Sequence, residues 1–146
     1  LWICGGGDAL EEIKECQHND RRIQYLGMLS KSEVRTLQKK ATVLINPRHS
    51  ADEYTKYSFP SKTMEYMASG TPTLMAHLAS IPQEYESHLF FFDDESIEGM
   101  KNKIIEVCEK SQSELETFGK AASKFILEEK NEMRQAKKIV DMINRL

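Results

Sequence analysis

Ser58-Phe59-Pro60-Ser61-Lys62-Thr63-Met64-Glu65 combines the residues needed to hold an anion with one carboxylate able to accept hydroxyl hydrogen bonds, and Tyr66-Met67-Ala68-Ser69-Gly70-Thr71-Pro72 follows as a stop. Pro60 and Ser61 suit the first turn or cap of a helix, and Gly70 before Thr71-Pro72 ends it, so the spacing predicts a short helix from Ser61 to Ser69. The first N–H groups of such a helix lack intrahelical partners and carry the positive end of its dipole. A phosphate over Ser58, Phe59, Pro60, Ser61 and Lys62 is therefore stabilised even before Lys62 adds its charge. Glu65 lies one turn further in, where a carboxylate can accept from a ribose diol. The plainer alternative is a Pro-started, Gly-stopped helix with Met64, Met67 and Ala68 packed inward and Glu65 merely capping.

Other residues carry weaker signals. Arg48 and His49 follow an apolar run and can reach a phosphate or sugar, or be solvated loop charges. His18, His77 and His88 share no metal-ligand spacing, so no metal site is expected. Asp93-Asp94-Glu95 precedes Ser96 at a predicted helix start, where acidic residues belong as caps. Gly5-Gly6-Gly7 departs from the dinucleotide fingerprint at Leu10, which argues against NAD. Cys4, Cys16 and Cys108 form neither a disulfide framework nor a zinc motif, as expected of a chain from the reducing cytoplasm.

These residues need elements to position them. Short apolar runs at Leu1–Cys4, Ile23–Leu26, Thr42–Ile45, Thr73–Ala76 and Leu89–Phe92 read as strands. Helices are predicted after Gly7, from the Ser30-x-x-Glu33 capping box, over Ser61–Ser69, and over Ile97–Glu109, Leu115–Leu127 and Glu132–Ile143; Arg48–Tyr57 is an aperiodic loop, and Ile81–Tyr85 a turn. Strands alternating with helices specify an α/β fold, a Rossmann-like doubly wound parallel sheet, whose ligands bind beyond the carboxyl ends of the strands. Gly5, Gly27 and the loop before Ser58 fall on that rim. The 146 residues, 40% hydrophobic and 29% charged, fit a single domain, with 112–146 forming C-terminal helices. No run spans a bilayer, and a net charge of −3 offers no footprint for nucleic acid.

The stretches Asp20-Arg21-Arg22-Ile23-Gln24-Tyr25-Leu26-Gly27, Ala41-Thr42-Val43-Leu44-Ile45-Asn46-Pro47, Phe59 to Pro72 and Ile81-Pro82-Gln83-Glu84-Tyr85, behind a glycine turn, stand in an order that resembles the donor-binding half of family 4 (group 1) glycosyltransferases of the GT-B fold. The Phe-Pro-Ser-Lys variant is similar to enzymes of capsular, exopolysaccharide or lipopolysaccharide assembly. The resemblance implies retaining transfer from a UDP-, GDP- or similarly activated sugar to a glycan or lipid-linked acceptor, with no cofactor and no essential metal. It also implies a cytoplasmic enzyme, working at the inner membrane face in peripheral association with it.

Carried onto this chain, the resemblance makes Glu65 the second Glu of an E-x7-E pattern, contacting the ribose. Tyr57 falls where the first Glu would touch donor-sugar hydroxyls, and a phenol there carries no charge near neutral pH. Ser58 to Thr63 would meet the diphosphate, and Gly27-Met28-Leu29 would border the base. Family members carry further elements ahead of the matched residues: a strand, a loop with an Arg and a Lys, and an acceptor-binding N-terminal half. This portion alone is expected to be inactive, because the leaving diphosphate needs preorganised cations. In the GT-B fold the final helix crosses back to the other half, which would leave its apolar stripe uncovered here. A second reading, consistent with Tyr57, is a nucleotide-binding or scaffolding module of the same fold that has lost transfer.

Overall fold

The computed structural model describes residues 1–145. The chain divides into two compact units, Leu1–Leu37 and Gln38–Leu146. In the first, β1 (Trp2–Ile3) leads through a glycine turn into α1 (Leu10–Asn19) and returns to β2 (Gln24–Tyr25). The two strands pair in parallel, Trp2 with Gln24 and Ile3 with Tyr25. Asp20 steers the chain into β2: its carboxylate accepts from the guanidinium and the backbone N–H of Arg22 and is held down to about 2 by those bonds. The helix α2 (Lys31–Lys40) starts on the expected capping box. Ser30 N–H donates to Glu33 at 2.8 Å, and Glu33 N–H donates back to Ser30 Oγ at 3.3 Å.

The second unit runs β3 (Leu44–Asn46), a 3-10 turn (Glu53–Lys56), α3 (Ser61–Ser69), β4 (Thr73–Ala76), a second 3-10 turn (Gln83–His88) and β5 (Phe90–Phe92). Three helices follow: α4 (Ile97–Cys108), α5 (Gln112–Glu129) and α6 (Glu132–Ile143). The sheet order is β3-β4-β5, all parallel, with Ile45 opposite Leu74 and Met75 opposite Phe91. Central β4 is buried along its whole length, as an uninterrupted apolar run between two partners requires. Every strand pair is thus parallel and reached through a helix or turn, the Rossmann-like α/β organisation expected. The predicted continuous sheet is built as separate ladders of two and three strands.

The core gathers Met67 of α3, Met75 and Ala76 of β4, Leu78, Ile81, Tyr85 and Leu89 of the following segment, and Ala122 and Ile126 of α5. Gly70 ends α3 with φ 81°, and its N–H donates to Met67 at 3.1 Å. Beyond it, α5 crosses so closely that a Cβ on Gly119 would stand 2.0 Å from the Gly70 carbonyl oxygen. Ser123 completes the contact by donating to the carbonyl of Ala68 at 3.1 Å, one of the otherwise orphaned last-turn acceptors.

Most strands are one or two residues shorter or shifted, β3 running Leu44–Asn46 rather than Thr42–Ile45, and two differences are larger. α5 starts at Gln112 rather than Leu115, because Ser111 and Glu114 form a second reciprocal capping box. The Arg48–Tyr57 loop contains the first 3-10 turn. α6 begins where predicted, capped by Asn131, and its Ile139, Val140 and Ile143 are solvent-exposed.

Lys130, at the end of α5, is only 6% exposed, lies over the rings of Tyr85 and Phe125 at 5.1 and 5.0 Å, and pairs with Glu84. Hydrogen bonding to Lys130 holds the Glu84 carboxyl below its usual range. A depressed carboxylate contributes stability above its unfolded pKa and loses it as pH falls through the folded value. Glu84→Gln should therefore lower the melting temperature at pH 7 by a few degrees, and the gap from wild type should close below pH 4; a gap independent of pH would contradict the pairing. Gly119→Ala gains about 1 kcal/mol of helix propensity but forces a backbone shift costing about 1–3 kcal/mol or more. It should destabilise on balance, and a melting temperature at or above wild type would show that α3 and α5 do not cross this closely.

Candidate functional site

The carboxyl ends of β3, β4 and β5 lead into three loops that lace together along one edge of the sheet. Asn46, the last residue of β3, is buried, and its Nδ2 donates to Thr63 Oγ1 at 3.3 Å; that hydroxyl is 3.6 Å from Met75 Sδ. The first turn of α3 is thereby tied to two strands. Thr63 serves this purpose completely: its side chain is buried and its N–H donates to the Pro60 carbonyl at 2.9 Å. Pro60 is buried beside it.

The residues around them are open. Ser58, Ser61, Lys62 and Glu65 are exposed. The N–H groups of Phe59, Ser61 and Lys62 donate to no acceptor among the described residues, and Pro60 contributes no side-chain cap. Lys62 and Glu65 stand three apart on one face of α3 without an ion pair between them, while Met64 and Met67 pack inward. Nine residues of helix therefore present unpaired N–H donors, an ammonium group and, one turn on, a carboxylate. Tyr57, directly ahead, is 82% exposed.

The loop from Pro47 to Tyr57 is fixed rather than free. Thr55 is buried, its hydroxyl donating to the Asp52 carbonyl at 2.6 Å. Glu95 Oε2, from the loop after β5, accepts from Ser50 N–H at 2.9 Å and lies 3.2 Å from His49 Nδ1. Burial pushes the Glu95 carboxyl up, but the bonds from Ser50 and His49 outweigh it and leave it below the usual range. His49 is thus engaged in holding the loop. Arg48 lies over the Tyr54 ring at 5.6 Å and has no carboxylate partner among the described residues. Of the acidic trio, Asp94 does cap: it accepts from Ser96 N–H at 2.8 Å, and Ser96 Oγ accepts from Gly99 N–H at 3.1 Å. Asp93 pairs with Lys103.

Behind the Ser58–Lys62 segment stands the stretch after β4. Ser80 Oγ donates to the Ser58 carbonyl at 3.2 Å, and the Phe59 ring packs on Tyr85 with centroids 5.1 Å apart. Tyr85 in turn meets Phe125 edge-on at 5.1 Å, and burial raises its phenol above the usual range. His88 stacks on Phe125 at 4.4 Å, its Nδ1 buried without a partner and its pKa lowered by burial.

The remaining candidates lie in the first unit. Gly5 N–H donates to the Gly27 carbonyl at 2.9 Å, and Tyr25 Oη donates to the Gly5 carbonyl at 2.6 Å, joining the turns after β1 and β2. Met28 is 79% exposed. A cavity of about 200 Å3 opens among Gly5, Gly6, Gly7, Asp8 and Tyr25. Among the described residues, no three His, Cys, Asp or Glu side chains gather as metal ligands would, and no helix is long and apolar enough to cross a membrane.

Ser80 is not among the residues the sequence singles out, and Asn46 enters there only within the Ala41–Pro47 stretch, as the polar end of an apolar strand. Glu95, expected to cap beside Asp93 and Asp94, instead accepts from Ser50 N–H and meets His49, partners distant in sequence.

A comparison with curated proteins finds no match. The family model described as "Glycosyl transferases group 1" matches residues 1–110, which include both glycine turns, the Arg48–Tyr57 loop and the whole of α3. With that match over most of its length, the chain belongs to the group 1 glycosyl transferases.

Proposed function

We propose that this chain is the donor-binding part of a retaining, hexosyltransferase-type GT-B glycosyltransferase that uses a nucleoside diphosphate sugar. The observation that carries this reading is the open amino end of α3, where N–H groups of Phe59, Ser61 and Lys62 have no acceptor and Glu65 stands one turn away on the exposed face. The diphosphate takes those N–H groups and the Lys62 ammonium, and Glu65 accepts from the ribose hydroxyls. Arg48 and Tyr57 flank the sugar end.

In the transfer, the bond between the sugar anomeric carbon and the diphosphate oxygen breaks, and an acceptor hydroxyl adds on the same face. Charge accumulates on the leaving diphosphate, where donors already fixed in place stabilise it without reorganising. Ser58 and Ser61 add hydroxyls beside them. A bound metal is not required in this scheme, since helix end and Lys62 carry the compensating charge. The acceptor is a glycan or lipid-linked glycan of a polysaccharide pathway, bound outside these residues at the cytoplasmic membrane face. Tyr57, a phenol at the position where the resemblance expects a carboxylate, is the feature that favours the second reading, a nucleotide-binding module without transfer.

Glu65 makes no bond within the protein, so Glu65→Ala should leave the melting temperature unchanged. In the complete protein it should weaken UDP or GDP binding by about 10- to 100-fold, the range for hydrogen bonds to a charged group. The 2′-deoxy nucleotide should bind wild type as weakly as the ribonucleotide binds the variant. Unaltered ribonucleotide affinity in Glu65→Ala would remove this residue from the site. Sugar transfer by the complete protein from a panel of labelled nucleotide sugars separates the enzyme from the binding module: binding without any product would select the module.

A further inference from the structure

The Ile81–Tyr85 motif and the serine ahead of it take no part in the scheme above, although they sit directly behind its most important backbone. Ser80 Oγ donates to the Ser58 carbonyl at 3.2 Å. A trans peptide unit is planar, with C=O and N–H pointing in opposite directions, and the described residues contain no cis bond. Fixing the Ser58 carbonyl toward Ser80 therefore aims the Phe59 N–H away from Ser80. That N–H has no acceptor among the described residues. If the peptide unit turned over, a carbonyl oxygen would replace the donor and repel an anion at the same place.

The neighbouring ring prevents drift of the same unit. Phe59 packs at 5.1 Å on Tyr85, itself buried and braced by Phe125 and by Lys130, whose ammonium lies over both rings and pairs with Glu84. One end of the peptide unit is thus held by a hydrogen bond and the other by a side chain in the core.

We propose that Ser80 is a positioning residue for the donor diphosphate, fixing the Ser58–Phe59 peptide so that its N–H joins those of Ser61 and Lys62. This rests on the reading of α3 as the diphosphate site. Ser80 touches no substrate atom; it determines which backbone group does. Ser80 is half-buried and its one side-chain bond is at the surface, so Ser80→Ala is expected to keep the fold.

The test compares wild type, Ser80→Ala and Ser80→Thr in the complete protein by calorimetric titration with UDP and GDP and with the parent nucleosides, alongside amide hydrogen exchange at Phe59. Ser80→Ala should weaken the nucleoside diphosphate about five- to tenfold, as expected for one lost orienting bond. Nucleoside binding should be unchanged, Phe59 exchange should change, and Ser80→Thr should restore all three. Equal diphosphate affinity in wild type and Ser80→Ala overturns the role of Ser80 alone. Equal weakening of nucleoside and diphosphate overturns it too, by showing a general structural defect. Wild-type protein that binds neither UDP nor GDP overturns the α3 site itself and this inference with it.

Discussion

The contact between the Gly70 carbonyl and Gly119 fixes the orientation on which the candidate site depends. A helix of nine residues is too short to persist through its own hydrogen bonds, so α3 exists because something holds it. Its carboxyl end meets α5 backbone to backbone, at a distance that a single methyl group would forbid. Ser123 secures the Ala68 carbonyl there, and Met67 is buried in the core beneath. With that end immobilised, the direction of the axis, and hence the direction of the N–H groups at the other end, is determined by packing rather than by the loop that precedes it.

Immobilising one end of a helix does not keep the other end open. That depends on a division of labour among residues at its start. Pro60 and Thr63 turn inward, and Asn46 anchors Thr63 to the end of β3. Ser61, Lys62 and Glu65 are consequently left on the outer face, because neighbours on a helix separated by one residue cannot share a side. The Arg48–Tyr57 loop is kept in its own place by Thr55 from inside and by Glu95 from the loop after β5. Each of these links joins the chain to a different strand end, so a parallel sheet with aligned carboxyl ends is what makes them geometrically available.

Much of this was legible before any coordinates. Ser61–Ser69, Thr73–Ala76 and Glu132–Ile143 fall where Pro and Gly punctuation and apolar runs and periods put them, because such signals are local and the chain obeys them locally. The start of α5 was misplaced by three residues although its signal was equally local: Ser111-x-x-Glu114 is the same box recognised at Ser30, overlooked because the apolar period begins at Leu115. Gly119 is a different case. A glycine inside a helix costs about 1 kcal/mol and so announces a packing reason, but only the fold says that the reason is the Gly70 carbonyl. Ser80 and Glu95 were not recoverable at all, since an ordinary serine and one member of an acidic run acquire their tasks from partners 22 and 45 positions away.

That asymmetry bears on how the proposed anion site at the start of α3 would operate. A helix dipole at a surface is worth only about 0.3–1 kcal/mol and is screened by salt, and a solvated lysine adds little more. Hydrogen bonds from fixed N–H groups to a charged phosphate are worth about 1.5–3 kcal/mol each, provided their direction is set beforehand. Lys62 and the helix end, the features most visible in the sequence, can therefore draw an anion in, but they cannot by themselves distinguish a diphosphate from any other. Discrimination has to come from the relative aim of the Phe59, Ser61 and Lys62 N–H groups. On the proposed reading that aim is set by Ser80 together with Asn46, Thr63, Tyr85 and Gly119, none of which touches the ligand itself.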